Sequence, residues 1–293
     1  MLELLFKLNQ IHSLFKLPLQ WMAWICLGCA WAFGPICQAQ SNARPPAIPA
    51  LELDGEGDYV LLPDNTFSDL ETVTVEAWVK WTRFQSMSRV FGFSLKGRLI
   101  NMHNRYNNPN LWVSQYRKGT RTSIQLSGLL PKDQWIHLAV VSEADSINVF
   151  LNGIMVFDQF LTDKDTFQSK DFSRFNMLGR GNARVLYERD EDFHGQMAEV
   201  RIWDHARRIE EIKSNLNVSM TGSEPGLVAL YNFSDPEKPG KDTTGHGLDG
   251  TFKGDAKAII AHFPDLISLS TPIEISGDVR SFKKDKVVSG APV

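Results

Sequence analysis

Short apolar runs with alternating polar positions recur along most of this chain, and turn residues separate them. Val73, Val75, Ala77 and Val79 share one face of the segment 72–81, while Thr72, Thr74, Glu76 and Trp78 share the other. A period of two marks a half-buried strand. Runs of the same kind lie at 89–95, 99–102, 111–115, 134–141, 148–151, 154–157, 175–179, 195–203 and 227–233. Asn152-Gly153 separates two of them and predicts a two-residue hairpin turn, whose central residues take positive φ. One segment, 204–217, has a different period. Asp204 can cap a helix there, and Ala206, Ile209, Ile212 and Leu216 form one apolar stripe about three turns long. The pattern predicts an all-β protein, a two-sheet antiparallel sandwich with one short covering helix over 204–217.

The first 39 residues follow another rule. A weakly positive start with Lys7 and Lys16 leads into the apolar run 21–33, and Cys37-Gln38-Ala39 then places small residues at −3 and −1 of a cleavage site. This reads as a signal peptide over 1–39, and the run is shorter than a membrane-spanning helix requires. An uncleaved anchor and a lipoprotein acylated at Cys29 are the alternatives. All three cysteines (Cys26, Cys29, Cys37) lie in this segment. A chain cleaved after Ala39 has no thiol nucleophile, thiolate metal site or disulfide. Residues 40–50, with Pro45, Pro46 and Pro49, read as a linker. The main domain is expected over 51–262, and 263–293 as a linker or the start of a further β module. A net charge of −3 gives no overall basic surplus for nucleic acid. The expected location is secreted or cell-surface, with no membrane span in the mature chain.

Several blocks, in order, carry a resemblance. Leu51-Glu52-Leu53-Asp54-Gly55-Glu56-Gly57-Asp58-Tyr59-Val60 reads as an opening strand, and Thr74-Val75-Glu76-Ala77-Trp78-Val79 as a second. Trp135–Val140 followed by Val149–Gly153 reads as a hairpin, Phe193–Trp203 as a closing strand, and 227–233 with 242–251 as a trailing element. Together these resemble the laminin-G-like, concanavalin-type jelly-roll domains of secreted bacterial proteins, over roughly residues 50–260. The resemblance implies two packed antiparallel sheets and, in many members, one structural calcium near the sheet ends. It points to Asp54 as a calcium ligand. A second usual Asp position is occupied here by Ala198. The oxygen-rich turn 242–249 adds Asp242 and Asp249 as candidates. Trp78 and Trp135 are read as core or inter-sheet packing, Arg201 as facing outward or pairing with Glu199, and His137 as a satisfied sheet-edge histidine.

No catalytic motif stands out. A sandwich hydrolase needs two facing carboxylates, and Glu188, Asp190 and Asp192 fit a solvated acidic loop better. No nucleophile elbow, phosphate loop or dinucleotide fingerprint is present. Recognition is therefore expected in the loops. The stretch 102–112 offers Asn104 and Asn107 for sugar hydroxyls, with Tyr106 and Trp112 as flat faces. The stretch 180–189 offers Arg184 and Tyr187. The expected function is a secreted non-catalytic module binding glycan or an extracellular protein surface. A glycoside hydrolase and a ligand-free spacer are the rivals.

Overall fold

The computed structural model describes residues 47–64, 66–67, 69–117, 120–144, 146–158, 162–164, 176–181 and 190–263. Residues 1–39, read above as a signal peptide, and Arg184, Tyr187 and Glu188 lie outside the described residues. In chain order the strands are β1 (Ala47–Asp54), β2 (Tyr59–Leu62), β3 (Val73–Arg83), β4 (Arg89–Leu95), β5 (Arg98–Asn104), β6 (Leu111–Arg117), β7 (Thr120–Leu126), β8 (Ile136–Ser142) and β9 (Ile147–Leu151). They continue with β10 (Ile154–Asp158), β11 (Thr162–Lys164), β12 (Asn176–Leu178), β13 (His194–Trp203), β14 (Leu227–Tyr231), β15 (Thr251–Lys253) and β16 (Lys257–His262). A single described helix, α1 (Ile209–Ser214), lies between β13 and β14.

Two antiparallel sheets result. Sheet A has the order β10-β9-β8-β3-β13-β1-β16, with β14 also on β13, and sheet B has the order β11-β7-β6-β5-β4-β12-β2-β15. The core between them takes Val73, Val75, Ala77, Val79 and Trp81 from β3 and meets Phe91, Phe93, Ile100, Met102, Val113 and Ile124 of sheet B. This is the face that the period-two pattern marks as apolar. The β9–β10 turn is built as expected, with φ of +47° at Asn152 and +73° at Gly153. β1 starts at Ala47, inside the segment read as linker.

The opposite face of sheet A is also buried, and several expectations are corrected there. The segment after β13 crosses it: Thr74 Oγ1 donates to His205 O (2.7 Å), Arg207 N donates to Thr74 Oγ1 (3.0 Å), and Trp78 Nε1 donates to Leu216 O (3.2 Å). α1 is shorter than predicted because residues 205–208 run onto the sheet instead of coiling. The helix starts after Arg208, whose N–H donates to Glu211 Oε2 (2.7 Å). Its stripe is used as expected, with Ile212 buried beside Ala139, Val141 and Phe150, and Ala206 and Ile209 packed against them. Trp78 and Trp135 do not sit between the sheets. They form an outer cluster with Ala50, Ala198, Ala261 and Phe263, since Trp78 has the parity of Glu76.

Beneath this cover lies a buried charge network. Arg207 is ion-paired to Glu76 Oε1, while Arg201 Nη1 lies 3.7 Å and His137 Nε2 3.4 Å from Glu76 Oε2. Arg201 pairs with Glu199 at 3.1 Å, as expected, but is buried and does not face outward. His137 is not at an edge, because β8 lies between β3 and β9. Glu199, at φ +49°, is the extra residue of a bulge: Ala198 opposes Trp78, yet Arg201 opposes Glu76. The bulge re-aims Arg201 into the network. It also divides one edge of β13, which pairs with β1 through 194–197 and with β14 through 200–203.

Candidate functional site

The outer face of sheet B is built from the polar positions of β4–β7. Ile100 and Met102 point into the core, so Leu99, Asn101 and His103 point away from it. The register lines Gly92, Asn101, Ser114 and Ser123 in one row across four strands. The next row contains His103, Trp112 and Gln125. The first row is small and polar, the second larger and partly aromatic, and Asn101, His103, Ser114 and Ser123 are all buried. Among the described residues neither Nδ2 nor Oδ1 of Asn101 has a hydrogen-bond partner. Trp112 Nε1 donates to Ser114 Oγ (2.5 Å), and its ring stacks with His103 at 6.4 Å. Burial, with the Arg89 guanidinium nearby, pushes the His103 pKa down to about 3, so this imidazole is neutral.

Beyond β5 the 104–110 loop turns toward solvent, with Tyr106 and Asn107 exposed. Asn104 does not face out. It is fully buried, takes a hydrogen bond from Ser88 Oγ and donates through Nδ2 to Gln85 O (2.8 Å) and Tyr106 O (2.5 Å). It fixes the loop instead. Asn107 is exposed in the turn, and Tyr106, 56% exposed, sits at φ +53°. Between Tyr106 and Trp112 lies Arg105, which the sequence reading did not single out. Its guanidinium is 4.4 Å from the Trp112 ring centroid and 5.2 Å from that of Tyr106, and Nη1 donates to Gln125 Oε1. The two predicted rings therefore come together around an arginine.

The acidic run is corrected as well. Asp190 and Asp192 are not solvated: Asp190 is ion-paired with Arg89 and Asp192 with Arg180, both in largely buried positions. Asp192 Oδ2 also accepts Gly57 N (2.9 Å), and Arg180 lies over the Tyr59 ring at 4.3 Å. These carboxylates tie the 190–192 segment to β4, to the residues after β12 and to the turn before β2.

The calcium candidates separate into two places. Asp54 lies with Asp58 and Asp255, which the sequence reading missed, and ligand oxygens of the three fall within 4.8 Å of one another. Asp58 holds the turn through Oδ2, accepting Asp54 N (3.1 Å), and Oδ1, accepting Asp255 N (2.8 Å). Burial, with these acids close by, raises the Asp58 pKa. An all-oxygen donor set of crowded carboxylates fits a hard cation. Asp242 fits poorly. Its Oδ1 accepts Leu230 N and Thr244 N, and its Oδ2 accepts Thr244 Oγ1 and Leu248 N. Asp249 Oδ1 accepts Asp242 N (2.9 Å), so the pair braces its own loop.

Residues 54–213, just over half of the chain, match the family model described as the concanavalin A-like lectin/glucanases superfamily. No curated protein matches the chain. Among solved structures, a "putative carbohydrate binding protein" of Bacteroides ovatus is 19% identical with a TM-score of 0.57. The similarity covers 74% of this chain and 62% of that one, so this chain spans less than two thirds of its length. The heptameric SAP-like pentraxin of Limulus polyphemus is 12% identical (TM-score 0.46, 74% of this chain and 95% of that one). Domain 4 of AbnA, a GH43 extracellular arabinanase of Geobacillus stearothermophilus in complex with arabinotriose, is 20% identical (TM-score 0.42, 56% and 75%). At these identities the likeness concerns the fold alone.

Proposed function

This chain belongs to the concanavalin A-like lectin/glucanase superfamily, and we propose that it is a secreted or cell-surface, non-catalytic module that binds glycan on the outer face of sheet B. The observation that carries the reading is the pair of rings, Tyr106 and Trp112, held around Arg105 where β5 runs into the 104–110 loop. Sugar rings present C–H faces to aromatic faces and hydroxyls to amides such as Asn107 and Gln125. The pairing of Asp190 and Asp192 with arginines favours binding over hydrolysis, which needs two facing carboxylates about 5 Å apart or more. A glycan array followed by titration of the best binder tests this. Trp112→Ala is expected to weaken binding at least about tenfold, the effect of losing a buried aromatic anchor, and Trp112→Phe to restore most of it. Absence of binding to every glycan, or an unchanged Trp112→Ala variant, overturns the reading.

Asp54, Asp58 and Asp255 would hold the calcium. Its chemistry there is structural, neutralising three acids where β1, the turn before β2 and the β15–β16 turn meet. Calcium well above its Kd is expected to raise Tm by a few degrees, reversibly with EDTA. The Asp58→Asn variant should show no such shift. A shift retained in that variant would place the ion elsewhere.

A further inference from the structure

Charge is very unevenly distributed along this chain. The 56 residues from Ala77 to Lys132 contain ten Lys and Arg and no Asp or Glu, although the whole chain has 34 acidic against 31 basic residues. That stretch supplies β4–β7, the central part of sheet B. Arg89, Lys96, Arg98, Arg105, Arg117 and Arg121 lie on or beside these strands, whereas Lys80 and Arg83 belong to β3 of sheet A. Local charge acts on ligands even when the net charge has the other sign.

Acids reach this sheet only from other segments. Asp190 takes Arg89, Glu71 takes Lys96, and Asp163 of β11 stands at the register position opposite Arg121. Arg98 and Arg117 donate to backbone carbonyls, Glu71 O and Ala144 O, at the other end of the strands. Arg105 is different. Its polar side-chain partner is the neutral Gln125 amide, and no carboxylate pairs with it among the described residues. The ring contacts with Trp112 and Tyr106 hold the guanidinium in place and half-exposed. A planar fork held on an aromatic face keeps its edge N–H groups for a two-oxygen acceptor. A neutral sugar would leave that charge unanswered.

We propose that this face takes an anionic polysaccharide, with a carboxylate or sulfate of the sugar on Arg105 and the sugar ring against Tyr106 and Trp112. The inference rests on the glycan reading above and names its ligand class.

The test titrates the full-length protein with polygalacturonate, dextran sulfate and uncharged dextran, and with duplex DNA as a non-glycan polyanion. Binding is expected for one or both charged polysaccharides and not for dextran. Preference for polygalacturonate assigns the carboxylate, and preference for dextran sulfate assigns the sulfate. Affinity should fall steeply between about 50 and 200 mM salt, as it does when several charges are neutralised. Arg105→Ala should weaken binding about tenfold or more, the usual scale for a hydrogen bond to a charged group, with unchanged Tm and a shallower salt dependence. Arg105→Lys should recover part of the loss. Lys213→Ala, on α1 against the other sheet, should bind as the native protein does. Equal binding of dextran and dextran sulfate, or an unchanged Arg105→Ala variant, overturns the anionic class and leaves glycan binding standing. Failure of all three polysaccharides overturns the anionic class, and the glycan array then decides the glycan reading by itself. DNA bound as tightly as the polysaccharides, with the same loss in Arg105→Ala, replaces the proposal with a general polyanion surface.

Discussion

Glu76→Ala is expected to destabilise the protein by about 3–5 kcal/mol, the range for removing one partner of a buried ion pair. Glu76 is fully buried, and the variant leaves two guanidiniums, Arg201 and Arg207, facing each other beneath α1. Arg201 keeps Glu199, and its Nη1 keeps Asn215 O (2.9 Å), but Arg207 retains only Glu211 O (3.1 Å) and the Trp203 ring at 4.1 Å. Glu76→Gln should cost nearly as much, because it preserves shape but not charge. Replacing Glu76 and Arg207 together by Leu and Met should cost less than either single change, since Arg201 keeps Glu199 and the unpaired Arg207 charge is gone. Urea denaturation at pH 7 measures all three. A loss below about 1 kcal/mol for Glu76→Ala would mean that water reaches this network, as at a surface pair.

The same network sets a pH dependence. Burial opposes ionisation of Glu76, but His137, Arg207 and Arg201 more than offset it, so its folded pKa is below the ordinary 4.5. The unfolded chain therefore takes up this proton first. The contribution is complete above about pH 4.5 and is lost as pH falls through the folded pKa. The buried histidines act earlier in an acid titration. Burial, aided by neighbouring guanidiniums, lowers the pKa of His137 and takes that of His103 to about 3, from an ordinary 6.5. Stability is expected to be flat above pH 6.5 and to decline below it, with Glu76→Gln losing the steeper part below 4.5.

Much of the fold follows from local pattern. Alternation alone marks the core face of β3, and Asn152-Gly153 specifies the β9–β10 turn. β7 escapes, because Thr120–Leu126 carries Thr, Ser, Arg and Gln on its two faces and has no apolar rhythm. Trp78 shows the limit of composition: a tryptophan in a strand reads as inter-sheet core, and only the crossing of 204–217 over the outer face makes its other parity equally dry. The bulge at Glu199 depends on pairing with β3, β1 and β14, which no local window contains. At the candidate site, Tyr106 and Trp112 are legible as flat surfaces. Arg105 is not, because its meaning comes from Gln125 two strands away and from a charge asymmetry spread over 56 residues.

Trp81→Ala is the second large loss expected, about 3–5 kcal/mol. Trp81 is fully buried on the core face of β3, with its ring 5.4 Å from that of Phe193 in an edge contact and 6.5 Å from Phe84. Its backbone carbonyl accepts Asp133 N (2.8 Å), so the ring closes the sandwich where the loop before β8 returns. The indole Nε1 is buried without a hydrogen-bond partner among the described residues. An orphaned donor of this kind costs about 1–3 kcal/mol, which sets the ring's volume against its polarity. Trp81→Phe removes the donor and keeps an aromatic edge for Phe193, at the expense of a smaller void. Its net cost should be within about 1 kcal/mol of zero. Paired urea titrations with equal m-values decide the matter. If Phe is as damaging as Ala, the indole's size dominates and its N–H has a partner in solution. If Phe is tolerated, this position selects for an aromatic plate, and the nitrogen is incidental to holding the two sheets together.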